Sequence, residues 1–246
     1  MSSAKSQNRL SRHWPIGWPE RRQLAVLLSV MIVAGGIWGF IELAEEVMEG
    51  ATHSVDTMIL RALRDPGDPR DPIGPRWLEQ FGRDVTALGS VAVLGILTVA
   101  AIGFLLIERR PRTAGLVIVG VGGGQILSSL LKHGFARPRP ELVPPDIHVY
   151  TASFPSGHTM MSAITYLTLA ILLSRAAMSA AARVYILAVG VLLTLLVGVS
   201  RIYLGVHWPT DVVAGWAAGA AWAALWWLAA RRFDAPANRA DPPIPR

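Results

Sequence analysis

Six apolar runs set the pattern of this chain: Leu24–Leu43, Val85–Ile107, Thr113–Leu131, Thr159–Ser174, Val184–Val199 and Val212–Ala230. A helix that crosses a bilayer needs roughly 17 to 25 residues. The fourth and fifth runs fall short, but each can gain a turn from its flanks. The first run is too long for the apolar core of a secretory signal and lacks a small-x-small cleavage site, so it predicts a retained helix. The expectation is an all-α protein, a bundle of six transmembrane helices. Glycines recur four residues apart at Gly35/Gly39, Gly120/Gly124 and Gly215/Gly219. Such pairs let helix backbones approach closely in lipid.

The longest connection runs from about Ala44 to Asp84. Within it Val55, Met58, Ile59, Ala62 and Leu63 repeat at helical spacing beside Arg61 and Arg64. That pattern predicts a helix lying in the membrane interface. The stretch Asp65-Pro-Gly-Asp-Pro-Arg-Asp-Pro then breaks it, and Trp77, Leu78 and Phe81 predict a second surface turn. Both a cap over the bundle and a lid that admits lipid tails fit this loop.

Composition supports the membrane reading. The chain is 52% hydrophobic and 16% charged, against about 25% charged in an average soluble domain. The net charge of +6 has a topological explanation. Lys5, Arg9, Arg12, Arg21 and Arg22 precede the first run. Arg109, Arg110 and Arg112 follow the second, Arg175 and Arg183 flank the fourth-to-fifth connection, and Arg231 and Arg232 follow the sixth. With six spans all four basic segments fall on one side, which the positive-inside rule makes cytoplasmic. The expected organisation is a cytoplasmic N-terminal segment (1–23), a six-helix domain (24–230) and a disordered cytoplasmic tail (231–246). No basic stripe is interleaved with exposed aromatics, so nucleic acid is not an expected partner. There is no cysteine, which excludes disulfides, thiolate metal sites and a cysteine nucleophile.

Three strings at the other ends of the runs carry candidate chemistry. They are Lys132 to Arg139-Pro140, Pro155-Ser156-Gly157-His158, and Ser200-Arg201 followed by His207 and Asp211. Arg139 and Arg201 offer guanidinium forks that match two phosphate oxygens, and Lys132 adds a point charge. Singly, each could anchor to lipid headgroups at a membrane edge; converging, they fit a transferring phosphoryl group, whose catalysis is mostly positioning and electrostatics. Ser156 and Gly157 precede a helix start, where amides face an anion; Ser156 also fits an ordinary N-cap. No Gly-x-Ser-x-Gly elbow makes it an acyl nucleophile. His207 and Asp211 are four apart with Pro209 between them. If a helix begins at Pro209, Asp211 can accept from one ring nitrogen of His207 and leave the other free to attack phosphorus. His158, His207 and Asp211 could ligate zinc, but no zinc pattern accompanies them and three nearby cations oppose a divalent ion. No metal and no cofactor are expected. His13, His53, His133 and His148 have no matched role.

The spacing of these strings resembles the type 2 phosphatidic acid phosphatase superfamily, which includes lipid phosphate phosphatases, glucose-6-phosphatase and vanadium haloperoxidases. Its signatures, Lys-(six residues)-Arg-Pro, Pro-Ser-Gly-His and Ser-Arg-(five residues)-His-(three residues)-Asp, match here without a gap or substitution. The resemblance covers roughly Asp84 to Ala230. It implies His207 as nucleophile, Asp211 as its orienter and His158 as general acid, with phosphate held by Lys132, Arg139, Ser156, Gly157 and Arg201. It implies hydrolysis of a lipid phosphate or diphosphate through a phosphohistidine in a bacterial plasma membrane, and the basic-loop bias places the three strings on the exterior or periplasmic side. Candidate substrates are undecaprenyl diphosphate, phosphatidylglycerophosphate, phosphatidate and lipid A phosphate. A lipid phosphotransferase with the same site, or a carrier of anionic lipid, remain alternatives.

Overall fold

The computed structural model describes residues 21–141, 152–176 and 179–233, and they form eight helices. These are α1 (Arg21–Met48), α2 (His53–Ala62), α3 (Arg76–Ala87), α4 (Val91–Ile107), α5 (Pro111–Gly134), α6 (Gly157–Ala176), α7 (Ala180–Tyr203) and α8 (Pro209–Phe233). Among the described residues there is no strand, only one isolated bridge between Arg64 and Pro72. The all-α expectation holds. Most of the N-terminal segment, nearly all of the tail, residues 142–151 with His148, and part of the Arg175–Arg183 connection lie outside the described residues.

Five helices are long and apolar enough to cross a membrane; α3 and α4 make a sixth span if the pair, bent by 45°, is counted as one. The second apolar run is therefore not one straight helix. It breaks at Leu88-Gly89-Ser90, where Ser90 Oγ accepts from Val93 N at 3.3 Å and caps α4. Tyr166 of α6 fixes the break by donating to Leu88 O at 2.8 Å.

α6 lies at the centre, packed against α4, α5, α7 and α8, while α1 covers α8. Small residues make these contacts close. A β-carbon at Gly219 would lie 2.6 Å from Ala163 Cβ, and one at Gly215 would lie 2.9 Å from Ser156 O. Gly120 and Gly124 receive Trp226, Trp222 and Ile164 in the same way. The Gly35/Gly39 pair does not follow: a side chain at either would meet nothing within 4 Å. Gly36 does the packing instead, with its β-carbon position 2.9 Å from Ala217 O and Ala221 Cβ. Spacing alone identified the helix but not the face it turns inward. Three half-buried indoles find acceptors, as Trp N–H groups removed from water require. Trp216, Trp222 and Trp226 donate to the carbonyls of Thr194, Gly120 and Leu116 at 3.0, 2.8 and 2.7 Å.

The Ala44–Asp84 connection is mostly helical, because α1 runs to Met48 and α2 and α3 occupy the rest. The apolar face expected of α2 points outward: Val55, Met58 and Ile59 are exposed. The buried stripe is Thr52, Asp56, Leu60 and Arg64, four residues apart. Arg64 Nη2 donates to Tyr203 O at 2.8 Å, at the C-terminal end of α7. Asp56 Oδ1 accepts from Thr210 N at 3.0 Å, at the start of α8. Each charge thus meets the helix end whose dipole it complements.

Candidate active site

Successive helices run in opposite directions, so the C-terminal ends of α5 and α7 meet the N-terminal ends of α6 and α8. Lys132 lies in the last turn of α5, Gly157 and His158 open α6, Arg201 is in the last turn of α7, and Asp211 is in the first turn of α8. Arg139 and His207 lie on the adjoining connections. The three cations sit close enough to repel one another, and His158 lies within the field of all three.

Gly157 lets the Lys132 ammonium lie against the start of α6. A β-carbon there would stand 2.9 Å from Lys132 Nζ. Ser156 is fully buried; its hydroxyl accepts from Thr159 Oγ1 at 2.9 Å. Its backbone N–H donates to Asp211 O at 3.0 Å, so that amide serves α8 rather than an anion. Arg201 is buried and donates from Nη1 to Thr86 Oγ1 at 3.1 Å. Its Nε is buried with no partner among the described residues, a donor that a phosphate oxygen would satisfy. His158 backs onto the α3–α4 break, where a β-carbon at Gly89 would come within 3.3 Å of it.

His207 is the centre of the arrangement and is 1% exposed. Its Nδ1 lies 3.2 Å from Asp211 Oδ2, and its Nε2 lies 3.0 Å from Arg139 Nη1. An acceptor at one nitrogen and an obligate donor at the other assign the tautomer: the proton is on Nδ1 and the lone pair is on Nε2. Burial pushes the imidazole pKa down to about 3; the hydrogen bond to Asp211 opposes this, and the charges of Arg201 and Arg139 add to it. The ring is therefore neutral at physiological pH. Burial also lowers Arg139, which Asp211 partly offsets; its guanidinium, held by Val206 O at 2.8 Å, stays charged.

α8 begins at Pro209, as its sequence predicts. The Asp211 side chain reaches back to accept from Trp208 N at 3.0 Å, the return half of a capping box. Ser153 Oγ makes a short hydrogen bond to the same Oδ2.

Five further residues complete the polar cluster and carry no role in the sequence reading. Arg137 Nη1 donates to Asp211 Oδ1 at 2.7 Å, and Arg137 Nη2 to Asp56 Oδ2 at 2.7 Å. Thr210 Oγ1 donates to Asp56 Oδ2 at 2.6 Å and accepts from Arg137 Nη1 at 2.8 Å. Thr86 and Ser153 hold Arg201 and Asp211. Arg137 stands inside the first string, two residues before Arg139, and is the one of these that the sequence could have flagged. Beside Arg139 a cavity of about 400 Å³ opens between α2 and the 138–141 segment, lined by His53, Thr57, Arg61, Glu141 and Trp208. Among the described residues no three of His, Asp and Glu converge as metal ligands do.

Comparison with known proteins gives a consistent result. The model of the PAP2 superfamily matches residues 113–234. Phosphatidylglycerophosphatase B of Bacillus subtilis is 33% identical over 186 residues, spanning 73% of this chain and 85% of the relative. An undecaprenyl-diphosphatase of Sulfolobus acidocaldarius is 28% identical over 152 residues, spanning 58% of this chain and 63% of the relative. The crystal structure of a transmembrane PAP2-type phosphatidylglycerolphosphate phosphatase from Bacillus subtilis matches with a TM-score of 0.72 at 27% identity. It covers 82% of this chain and 97% of that one.

Proposed function

The chain belongs to the PAP2 superfamily, and from that premise we propose that it is an integral-membrane lipid phosphatase working through a phosphohistidine at His207. The observation that carries this reading is the assigned tautomer of His207. Its basic nitrogen faces the cations while its protonated nitrogen rests on Asp211.

Mechanism follows from that geometry. Lys132, Arg139 and Arg201 draw the phosphate in and spread its equatorial charge. The incoming anion takes over Arg139, which releases the Nε2 lone pair for in-line attack. Attack forms the N–P bond and breaks the P–O bond, and His158 gives its proton to the departing lipid oxygen. Water then attacks the phosphohistidine, returning His207 and releasing inorganic phosphate, with His158 taking the proton from that water. Asp211 stabilises the charge that develops on the ring. The bilayer delivers the substrate, and the relatives' named substrates point to phosphatidylglycerophosphate or a prenyl diphosphate. The basic connections at the opposite end of the bundle support a site on the exterior or periplasmic face of a bacterial plasma membrane.

The test is phosphate release from purified lipid phosphates and diphosphates, with and without vanadate and EDTA. Release without any acceptor lipid, inhibition by vanadate and indifference to EDTA are expected. Label that leaves the substrate only when an acceptor lipid is present would make the protein a phosphotransferase. Activity lost to EDTA and restored by zinc or magnesium would refute the metal-free route.

A further inference from the structure

Asp211 has two oxygens, and the proposed mechanism uses one. Oδ2 serves His207. Oδ1 is held by Arg137, and Arg137 is held in turn by Asp56 from α2. We propose that Asp56 and Arg137 are positioning residues for catalysis, a relay that fixes Asp211 and sets the charge it presents to His207. The proposal rests on His207 being the nucleophile.

The geometry leaves the relay little freedom. Each terminal nitrogen of one guanidinium is committed to a different carboxylate at 2.7 Å. Both carboxylate side chains are fully buried, and that of Arg137 is 10% exposed. The guanidinium also lies over the Trp208 ring at 5.4 Å, whose Nε1 is tied to Pro138 O at 2.9 Å. Thr210 bonds Asp56 through both its backbone and its hydroxyl. Rotation of Asp211 would break the Arg137 bond, so Oδ2 stays aimed at Nδ1.

Charge explains why a second carboxylate is present. Arg137 alone would neutralise Asp211 and weaken its hold on the His207 proton. Asp56 cancels Arg137, and the trio keeps one net negative charge. That charge is balanced when phosphorylation leaves a protonated, cationic ring. Buried ion clusters rarely earn their place by stability alone, because desolvation consumes most of their attraction.

The experiment compares Asp56→Asn, Arg137→Lys and Arg137→Gln with wild type and with His207→Asn, all purified in detergent. Steady-state kinetics on one lipid phosphate, vanadate inhibition and the elution profile are measured. An orienting Asp in a catalytic triad is worth about 10⁴-fold, and an outer partner about 10- to 100-fold. Asp56→Asn is therefore expected to lower kcat by about 10- to 100-fold with KM within about threefold. Vanadate affinity should weaken in parallel, because vanadate would bind through His207 in mimicking the transferring phosphoryl group. Arg137→Lys, which keeps the charge, should retain more activity than Arg137→Gln. Wild-type kcat and vanadate affinity in folded Asp56→Asn would overturn the proposal. So would a raised KM at unchanged kcat, which would mark a substrate contact. If Asp56→Asn does not fold, the Arg137 pair decides on the same readouts; no difference between Lys and Gln overturns it. An active His207→Asn would instead refute the phosphohistidine reading itself.

Discussion

α1 and α6 are built on opposite rules. Ranked by apolarity, the five long spans run α1, α7, α5, α8, α6; ranked by burial within the protein, the order is reversed. None of the most apolar window of α1 is buried, whereas half of that of α6 is. A soluble protein would place its most apolar helix innermost. Here lipid tails solvate apolar surface as well as another helix does, so apolarity confers no preference for the interior. The interior instead takes residues that pack closely or bond to one another. α6 buries Thr159, Ser162 and Thr165, and α8 meets it through Gly215 and Gly219. The chemistry follows the same division, because charged groups within membrane-spanning segments almost always face the bundle interior or a water-filled cavity.

The sharpest break in that comparison is at His207. His207→Asn removes the nitrogen proposed to attack without adding bulk. Turnover should fall by at least about 10³-fold, since loss of a nucleophile costs orders of magnitude. Elution and helical content should match wild type. A residual rate above about a tenth would sink the covalent route.

Next in size is a packing change remote from any charge. Gly219→Leu places a β-carbon 2.6 Å from Ala163 Cβ and 2.7 Å from Met160 O, and the second is backbone that cannot swing aside. Overpacking costs about 1–3 kcal/mol where side chains alone must move, and more is expected here. Thermal unfolding in detergent should shift clearly downward, with activity lost in proportion to folded protein. An unchanged Tm would mean that α6 and α8 are not in the contact described.

The spans were legible because lipid exposure writes itself into long apolar runs, and α5 to α8 begin and end within a few residues of them. The eight residues proposed for the site, Lys132, Arg139, Ser156, Gly157, His158, Arg201, His207 and Asp211, could be singled out because they stand in three short strings at helix ends. What escaped depends on partners far along the chain. Asp56 bonds Thr210 across 154 positions, and no local pattern announces it. The Thr52, Asp56, Leu60 and Arg64 stripe has helical spacing but the wrong polarity for a search that seeks apolar faces. The break at Ser90 hid inside a run that contains no charged residue. Gly35/Gly39 showed the right spacing one position out of register with the packed glycine.

That last error offers the smallest and most discriminating test. Gly35 and Gly36 are neighbours in α1, yet one faces open space and the other touches α8. Replacing glycine by alanine in a helix interior gains about 1 kcal/mol of helical preference when nothing obstructs the methyl group. Gly35→Ala should therefore leave kcat unchanged and keep or slightly raise the Tm in detergent. At Gly36 the same methyl would stand 2.9 Å from Ala217 O and from Ala221 Cβ, so α1 must shift away from α8. Gly36→Ala should lower the Tm by a few degrees. kcat should change little, because among the described residues no α1 side chain belongs to the polar cluster around His207. Two identical substitutions one residue apart would then carry opposite signs, separating the lipid-facing side of α1 from its packed side. The reverse order of melting temperatures would show α1 rotated about its axis, and equal values would show that it does not pack on α8 through this glycine.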